Sequence, residues 1–242
     1  MLARSDFTTI KVWNLSSGTL LATLGGGSQS TKEKGQEGKG ITALLFSPDS
    51  QKLTGIDAVG SASKTWNLTT GHLETTFGPY GPGGWIASFS PGPHPLLLAT
   101  ADTSEKVKIW EVSTRKNLVT FPVGPQNESV SALALSPDGK TLAAATRGNL
   151  LGSWSIAEGK PLTSFKAHSY PVIALVFSRD GRILVSASQD NTVRLWETDS
   201  GRELSQTDPL QTYGVNALAL SPDGKELITG QLDGSIKVWE MP

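Results

Sequence analysis

Residues 172–206 alternate short apolar runs with small polar breaks. VIALVF (172–177) ends in the turn Ser178-Arg-Asp-Gly181, and ILVSA (183–187) ends in Gln189-Asp190-Asn191. TVRLW (192–196) alternates, and Asp199-Ser-Gly201 leads into a last run at 203–206. Runs of about five residues between Asp, Gly and Pro turns predict four strands of an antiparallel meander. No stretch sustains a 3.6-residue apolar period with caps, so little helix is expected.

The same pattern recurs along the chain. Trp13, Trp66, Trp110, Trp154, Trp196 and Trp239 are spaced by 53, 44, 44, 42 and 43 residues. Ser47, Ser90, Ser136, Ser178 and Ser221 open turns reading SPDS, SPGP, SPDG, SRDG and SPDG. Phe77, Phe121 and Phe165 close the short runs before three of the next units. The long interval contains Gly25 to Gly40, a polar stretch that reads as an inserted surface loop. One four-stranded sheet cannot cover both of its faces. Stacking successive sheets about an axis buries them, which makes a β-propeller.

On these residues the chain resembles the WD-repeat family over essentially its whole length. The period, the SPDG turns and the endings Thr192-Val-Arg-Leu-Trp196-Glu and Ser235-Ile-Lys-Val-Trp239-Glu carry the likeness. The resemblance implies an all-β fold of four-stranded antiparallel blades, about five to six blades' worth, the first and last incomplete. It also implies a hydrogen-bonded tetrad, complete only at His168, Ser186, Asp190 and Trp196. The last repeat keeps Thr229, Asp233 and Trp239, with Gln211 in the His position. Trp110 retains Thr100, with Ser104 in the Asp position; Trp154 faces Ala144 and Gly148, and Trp66 faces Ile56 and Gly60.

The expected organisation is a single propeller domain or fragment over 1–242. It comprises a partial blade at 1–24, the inserted loop at 25–40, and full blades at 41–77, 85–121, 130–165 and 172–207. A partial blade follows at 215–242. In the first partial blade, strands are expected at 8–13 and 18–24, which brings the count to about 21. That is one more than five closed blades need, so a truncated or split piece of a longer propeller is favoured. Closure by self-association through the open blade edges is the alternative.

Composition narrows the function. The chain has 21 Lys+Arg against 22 Asp+Glu, a net charge of −1, which argues against a basic face for nucleic acid or membrane. Neither an 18-residue apolar run nor the pattern of a signal peptide is present. The lack of cysteine excludes disulfides and thiolate chemistry. The histidines, His72, His94 and His168, fall in different units, whereas a metal site needs converging ligands; no metal or other cofactor is expected. Gly139-Lys140-Thr141 sits in a hairpin turn rather than ahead of a helix, so it is not a phosphate loop. The recurring serines are turn formers, because a nucleophile does not come in five copies.

Two patterns survive. A basic residue stands two positions before the Trp in five units: Lys11, Lys64, Lys108, Arg194 and Lys237. These stems are read as packing between blades with their charges reaching the rim. The tyrosines Tyr80, Tyr170 and Tyr213 all lie in connections between a last strand and the next first strand, and Trp85 begins the strand after one of them. In a meander those loops emerge on one face, and amphipathic rings suit a recognition surface. The expected function is therefore a non-catalytic, cytoplasmic scaffold for protein or peptide partners. The alternatives are a metal-dependent propeller hydrolase and a non-functional fragment of a larger WD-repeat signalling protein. Thr42, Trp85, Ser131, Ile173 and Asn216, at the inner-strand mouths, offer no charge for the hydrolase.

Overall fold

The computed structural model describes residues 2–5, 9–14, 17–25, 41–47, 50–57, 63–77, 86–90, 96–101, 106–114, 116–124, 128–207, 214–221 and 223–241. They form 22 strands in six sheets, with no helix among the described residues. Sheet 1 holds β1 (Leu2–Ser5), β2 (Thr9–Trp13) and β3 (Leu20–Gly25). Sheet 2 holds β4 (Ile41–Phe46), β5 (Lys52–Asp57), β6 (Ser63–Asn67) and β7 (Leu73–Phe77). Sheet 3 holds β8 (Ile86–Phe89), β9 (Leu97–Ala101), β10 (Lys106–Glu111) and β11 (Lys116–Pro122).

Sheet 4 follows with β12 (Val130–Leu135), β13 (Thr141–Thr146), β14 (Leu150–Ser155) and β15 (Lys160–Lys166). Sheet 5 has β16 (Val172–Phe177), β17 (Ile183–Ser188), β18 (Val193–Glu197) and β19 (Glu203–Gln206). Sheet 6 ends with β20 (Val215–Leu220), β21 (Glu226–Gln231) and β22 (Ile236–Glu240). Every sheet is an antiparallel meander in chain order. These are β-propeller blades.

One expectation is corrected. Sheet 1 has three described strands rather than two, because Leu2–Ser5 pairs with β2 in the register Leu2↔Trp13 to Ser5↔Ile10. Four residues carry too little alternation to be read as a strand on their own; the neighbouring strand specifies them.

A bulge recurs beside the tryptophans. The register slips between Val12/Trp13, Thr65/Trp66, Ile109/Trp110, Ser153/Trp154 and Leu195/Trp196. Each slip places one extra residue on the outer strand and bends it there.

The chain forms two compact units, Met1–Ala87 and Ser88–Pro242, with β8 crossing the boundary. In the first unit, Ile10, Val12 and Leu24 of sheet 1 pack with Leu53 and Trp66 of sheet 2. In the second, β12 lies beside β9 and β16, and β16 beside β20. Ala132, Ala134, Ala143, Ala145 and Leu151 of sheet 4 receive Phe177, Leu184 and Trp196 of sheet 5. Val185, Ala187, Val193 and Leu195 of sheet 5 receive Val215, Leu227 and Trp239 of sheet 6. The direction is constant. The earlier sheet presents a face of Ala, Val, Ile and Leu, and the later one lays its Trp and Leu on it. Two-residue alternation sorts both sets from the same strands.

Candidate functional site

The repeated serine turns are internally saturated. Ser136, Ser178 and Ser221 each donate Oγ–H to Asp138, Asp180 and Asp223 at 2.6 Å. The same three hydroxyls accept the N–H of Thr141, Ile183 and Glu226 at 2.9 Å. The carboxylates accept further N–H bonds from Lys140, Arg182 and Lys225 at 3.0–3.1 Å. The Ser178 hydroxyl, with the Arg182 amide, holds Asp180 below its usual range, and Ser221 with Lys225 does the same for Asp223. In each of these turns the serine proton is held by the turn's own carboxylate and its oxygen caps a strand amide, so both groups are engaged in holding the turn.

Sheet 5 carries a continuous polar chain. Trp196 Nε1–H donates to Ser186 Oγ at 2.8 Å, and that hydroxyl lies 2.7 Å from His168 Nε2. His168 Nδ1 lies 2.9 Å from Asp190 Oδ2, while Thr192 Oγ1–H donates to Asp190 Oδ1 at 2.6 Å. The directions are consistent if the imidazole is neutral with its proton on Nδ1: Ser186 donates to Nε2, and Nδ1–H donates to Asp190. Burial pushes the His168 pKa down, against the smaller upward pull of Asp190. Burial raises Asp190, but the Thr192 hydroxyl bond, the His168 interaction and the amides of Thr192 and Ser169 outweigh it and hold the carboxyl low. The site is thus a neutral imidazole beside a carboxylate, with both edges of the ring occupied.

This chain also secures the loop before β16. Asp190 accepts the Ser169 N–H at 3.1 Å, Ser188 Oγ–H donates to the Tyr170 carbonyl at 2.8 Å, and the Gln189 N–H reaches the Pro171 carbonyl at 3.1 Å. Tyr170 is 60% exposed on this hydrogen-bonded backbone.

The other sheets keep less. In sheet 6, Trp239 Nε1–H reaches Thr229 Oγ1 at 3.0 Å and Asp233 accepts the Ser235 N–H at 2.8 Å. In sheet 3, Trp110 Nε1–H reaches Thr100 Oγ1 at 3.0 Å. Sheet 4 is wired differently: Thr146 Oγ1–H donates to Glu128 Oε2 at 2.6 Å. A Cβ at Gly148 would lie 2.2 Å from Glu128 Oε1. Glu128, from the preceding loop, thereby occupies the space that an Asp at 148 would need. Nearby, a Cβ at Gly152 would lie 2.5 Å from the Thr163 carbonyl and 2.8 Å from Trp154 Cη2, so the indole lies over a missing side chain. Trp13 is half-buried, whereas Trp66 and Trp154 are buried.

The WD domain, G-beta repeat family model matches residues 116–155, 159–197 and 203–240, three successive repeats each running from an outermost strand through the next third strand. The chain belongs to the WD-repeat family. Its repeats are similar to those of the periodic tryptophan protein 2 homolog of Schizosaccharomyces pombe, 35% identical over 39% of this chain and 11% of that protein. Periodic tryptophan protein 2 of Arabidopsis thaliana is 32% identical over 54% of the chain and 14% of its own length. The small ribosomal subunit protein RACK1 of Neurospora crassa is 29% identical over 41% of the chain and 32% of its own length. The WD-repeat chain therefore spans between about a tenth and a third of these relatives.

Of the proposed recognition face, only Tyr170 is among the described residues; Tyr80, Trp85 and Tyr213 lie outside them, as do His94, Gln211, Ser104, Gly60 and residues 26–40 of the inserted loop. No group of three or more His, Cys, Asp or Glu side chains converges as a metal site among the described residues. No helix there is long and apolar enough to cross a membrane. The sequence reading missed Glu128 and Gly152. The signal for Gly152 was present, since it stands where five other units carry Lys or Arg.

Proposed function

We propose that this WD-repeat chain is a non-catalytic, cytoplasmic scaffold that holds protein or peptide partners on the loops preceding its first strands. The observation that carries this reading is Tyr170, an exposed residue on a backbone tied by three residues of the adjacent turn, Ser188, Gln189 and Asp190. A pre-ordered aromatic binds without the cost of ordering its own loop. In this reading His168, Ser186, Asp190 and Trp196 are structural, and the partial set Thr229, Asp233 and Trp239 serves sheet 6 in the same way. Tyr80, Trp85 and Tyr213 belong to the same recognition face. The repeated hydroxyls and carboxylates of Ser136, Ser178 and Ser221 and their Asp partners are engaged in their turns, and no group of three or more His, Cys, Asp or Glu that could hold a hydrolytic metal is found among the described residues. Self-association through an open blade edge is a second route to assembly.

The test is affinity capture from the native host with Tyr170→Ala/Tyr213→Ala as control. The partner should be lost while the melting temperature stays within about 2 °C of the parent. Retention of the partner by the double variant would sink the recognition face.

A further inference from the structure

At the end of the sheets that carries Tyr170, three equivalent turn residues form a row. Register pairs Val130 with Thr146, Val172 with Ser188 and Val215 with Gln231, so the residues that follow, Arg147, Gln189 and Leu232, hold one position in sheets 4, 5 and 6. Each is the second residue of a tight turn, in which the N–H of Asn149, Asn191 or Gly234 donates to the carbonyl of Thr146, Ser188 or Gln231 at 3.0–3.1 Å. Their own N–H groups donate to the carbonyls of Ser129, Pro171 and Gly214 at 2.9, 3.1 and 3.0 Å, fixing each turn to the loop before its first strand. Sheets 4 and 5 are joined here too: Asn149 Nδ2–H donates to the Ser169 carbonyl at 3.1 Å, and the Ala167 N–H to the Asn149 carbonyl at 3.2 Å. All three turn residues are exposed, Leu232 to 70%. Arg147 and Gln189 stay exposed with a later sheet packed beside their own, so exposure belongs to the turn position itself.

The chemistry of the row is graded. Sheet 4 offers the cation Arg147, sheet 5 the Gln189 amide beside Tyr170, and sheet 6 the apolar Leu232. The carboxylates at this end are already engaged: Glu128 accepts from Thr146, Asp190 from Thr192, and Asp233 from the Ser235 N–H. Arg147 has no ion-pair partner among the described residues. We infer that this row binds an extended acidic peptide segment of a partner, with a carboxylate on Arg147, an apolar side chain on Leu232 and its middle across Tyr170 and Gln189. The guanidinium supplies a charge-assisted bond at one end, and Tyr170 and Leu232 supply apolar contact along the rest. Stacked sheets lie about 10 Å apart and an extended chain rises about 3.3 Å per residue, so anchors two sheets apart are separated by about six residues. The turns and loops are ordered by their own hydrogen bonds, so binding has only the peptide to order. The inference rests on the Tyr170 reading and adds to it the charge and spacing of what is bound.

The probe is a random peptide library of roughly twelve residues, long enough to span the row when extended, displayed on phage and selected on the full 242-residue chain. Selected peptides should carry Asp or Glu and, about six positions away, Leu, Ile, Phe or Trp. Selection on Arg147→Glu should exchange the acidic position for Lys or Arg, and this variant should bind the parent's peptides about tenfold or more weakly. Arg147→Gln should lose the acidic preference without acquiring a basic one. Leu232→Asp should relax the apolar position and leave the acidic one. The replaced residues are exposed, so thermal melts of all three variants should match the parent. Peptides that need Tyr170 but show no acidic position, or keep it on Arg147→Glu, overturn the inference and leave the Tyr170 face standing. Peptides that keep both anchors yet bind Tyr170→Ala as tightly as the parent remove Tyr170 and uphold the row from Arg147 to Leu232. No enrichment on the full chain overturns both.

Discussion

Sheets 4 and 5 have the same strand order, the same bulge before the Trp and the same serine turn, yet their polar interiors differ. Sheet 5 connects Trp196 to Asp190 through Ser186 and His168. Sheet 4 has Ala144 and Gly148 at the positions of Ser186 and Asp190, and closes the gap with Glu128 on Thr146 and an indole laid over Gly152. Both Trp154 and Trp196 are buried all the same. The blade therefore rests on alternating apolar faces stacked against neighbours, and the polar chain is an addition that orders one loop. Hydrogen bonds between neutral groups contribute modestly to net stability, whereas burying an indole contributes several kcal/mol.

The most direct attack on this comparison is to remove the rings. Trp196→Ala and Trp154→Ala should each cost about 3–5 kcal/mol in chemical denaturation, with values close to one another. A far larger loss at Trp196 would mean that the tetrad, rather than packing, holds sheet 5. Gly152→Arg imports the basic residue of the other units into sheet 4. Its Cβ would press on a backbone carbonyl and an indole, and a loss of about 1–3 kcal/mol is expected. If it is neutral, the indole packing in sheet 4 is looser than described.

Ser186→Ala strands the Trp196 N–H and a buried imidazole edge, which should cost about 1–3 kcal/mol. Gly148→Asp should be destabilising as a single change because Glu128 fills that space, and Glu128→Ala should restore it. Simple additivity of the two changes would show that they do not share one site.

The smallest effect is in pH. His168 has a folded-state pKa below its ordinary 6.5, so folding favours the neutral ring. Its contribution is complete above about 6.5 and is lost as pH falls through the folded-state value. Amide exchange in β17 and β18 should therefore accelerate on acidification from pH 7 towards 5, relative to β13 and β14, which have no such ring. His168→Asn should flatten that difference; an unchanged pH response in this variant would remove His168 as its cause.

Much of this was legible in one dimension. The strands of sheets 2 to 6 follow the apolar runs and turns, since a meander is specified by local alternation and by Asp and Gly breaks. His168, Ser186, Asp190 and Trp196 could be placed only by resemblance, and the coordinates bring their polar atoms within hydrogen-bonding distance. Leu2–Ser5 was not legible as a strand, because its pairing with β2 decides its conformation. Glu128 was not legible either, since nothing local ties a loop residue to Thr146 and Gly148, eighteen and twenty positions further on.

By itself, the sequence determined the repeat, the strand order and which side of each strand is apolar, because these depend on neighbours one to five residues away. The tertiary structure alone decided which of those apolar sides is covered. Val193 and Ile236 occupy the same place in the same pattern, and one is buried while the other is open. Val193 lies under sheet 6, and burial is a property of what stacks on a face rather than of the residues that form it.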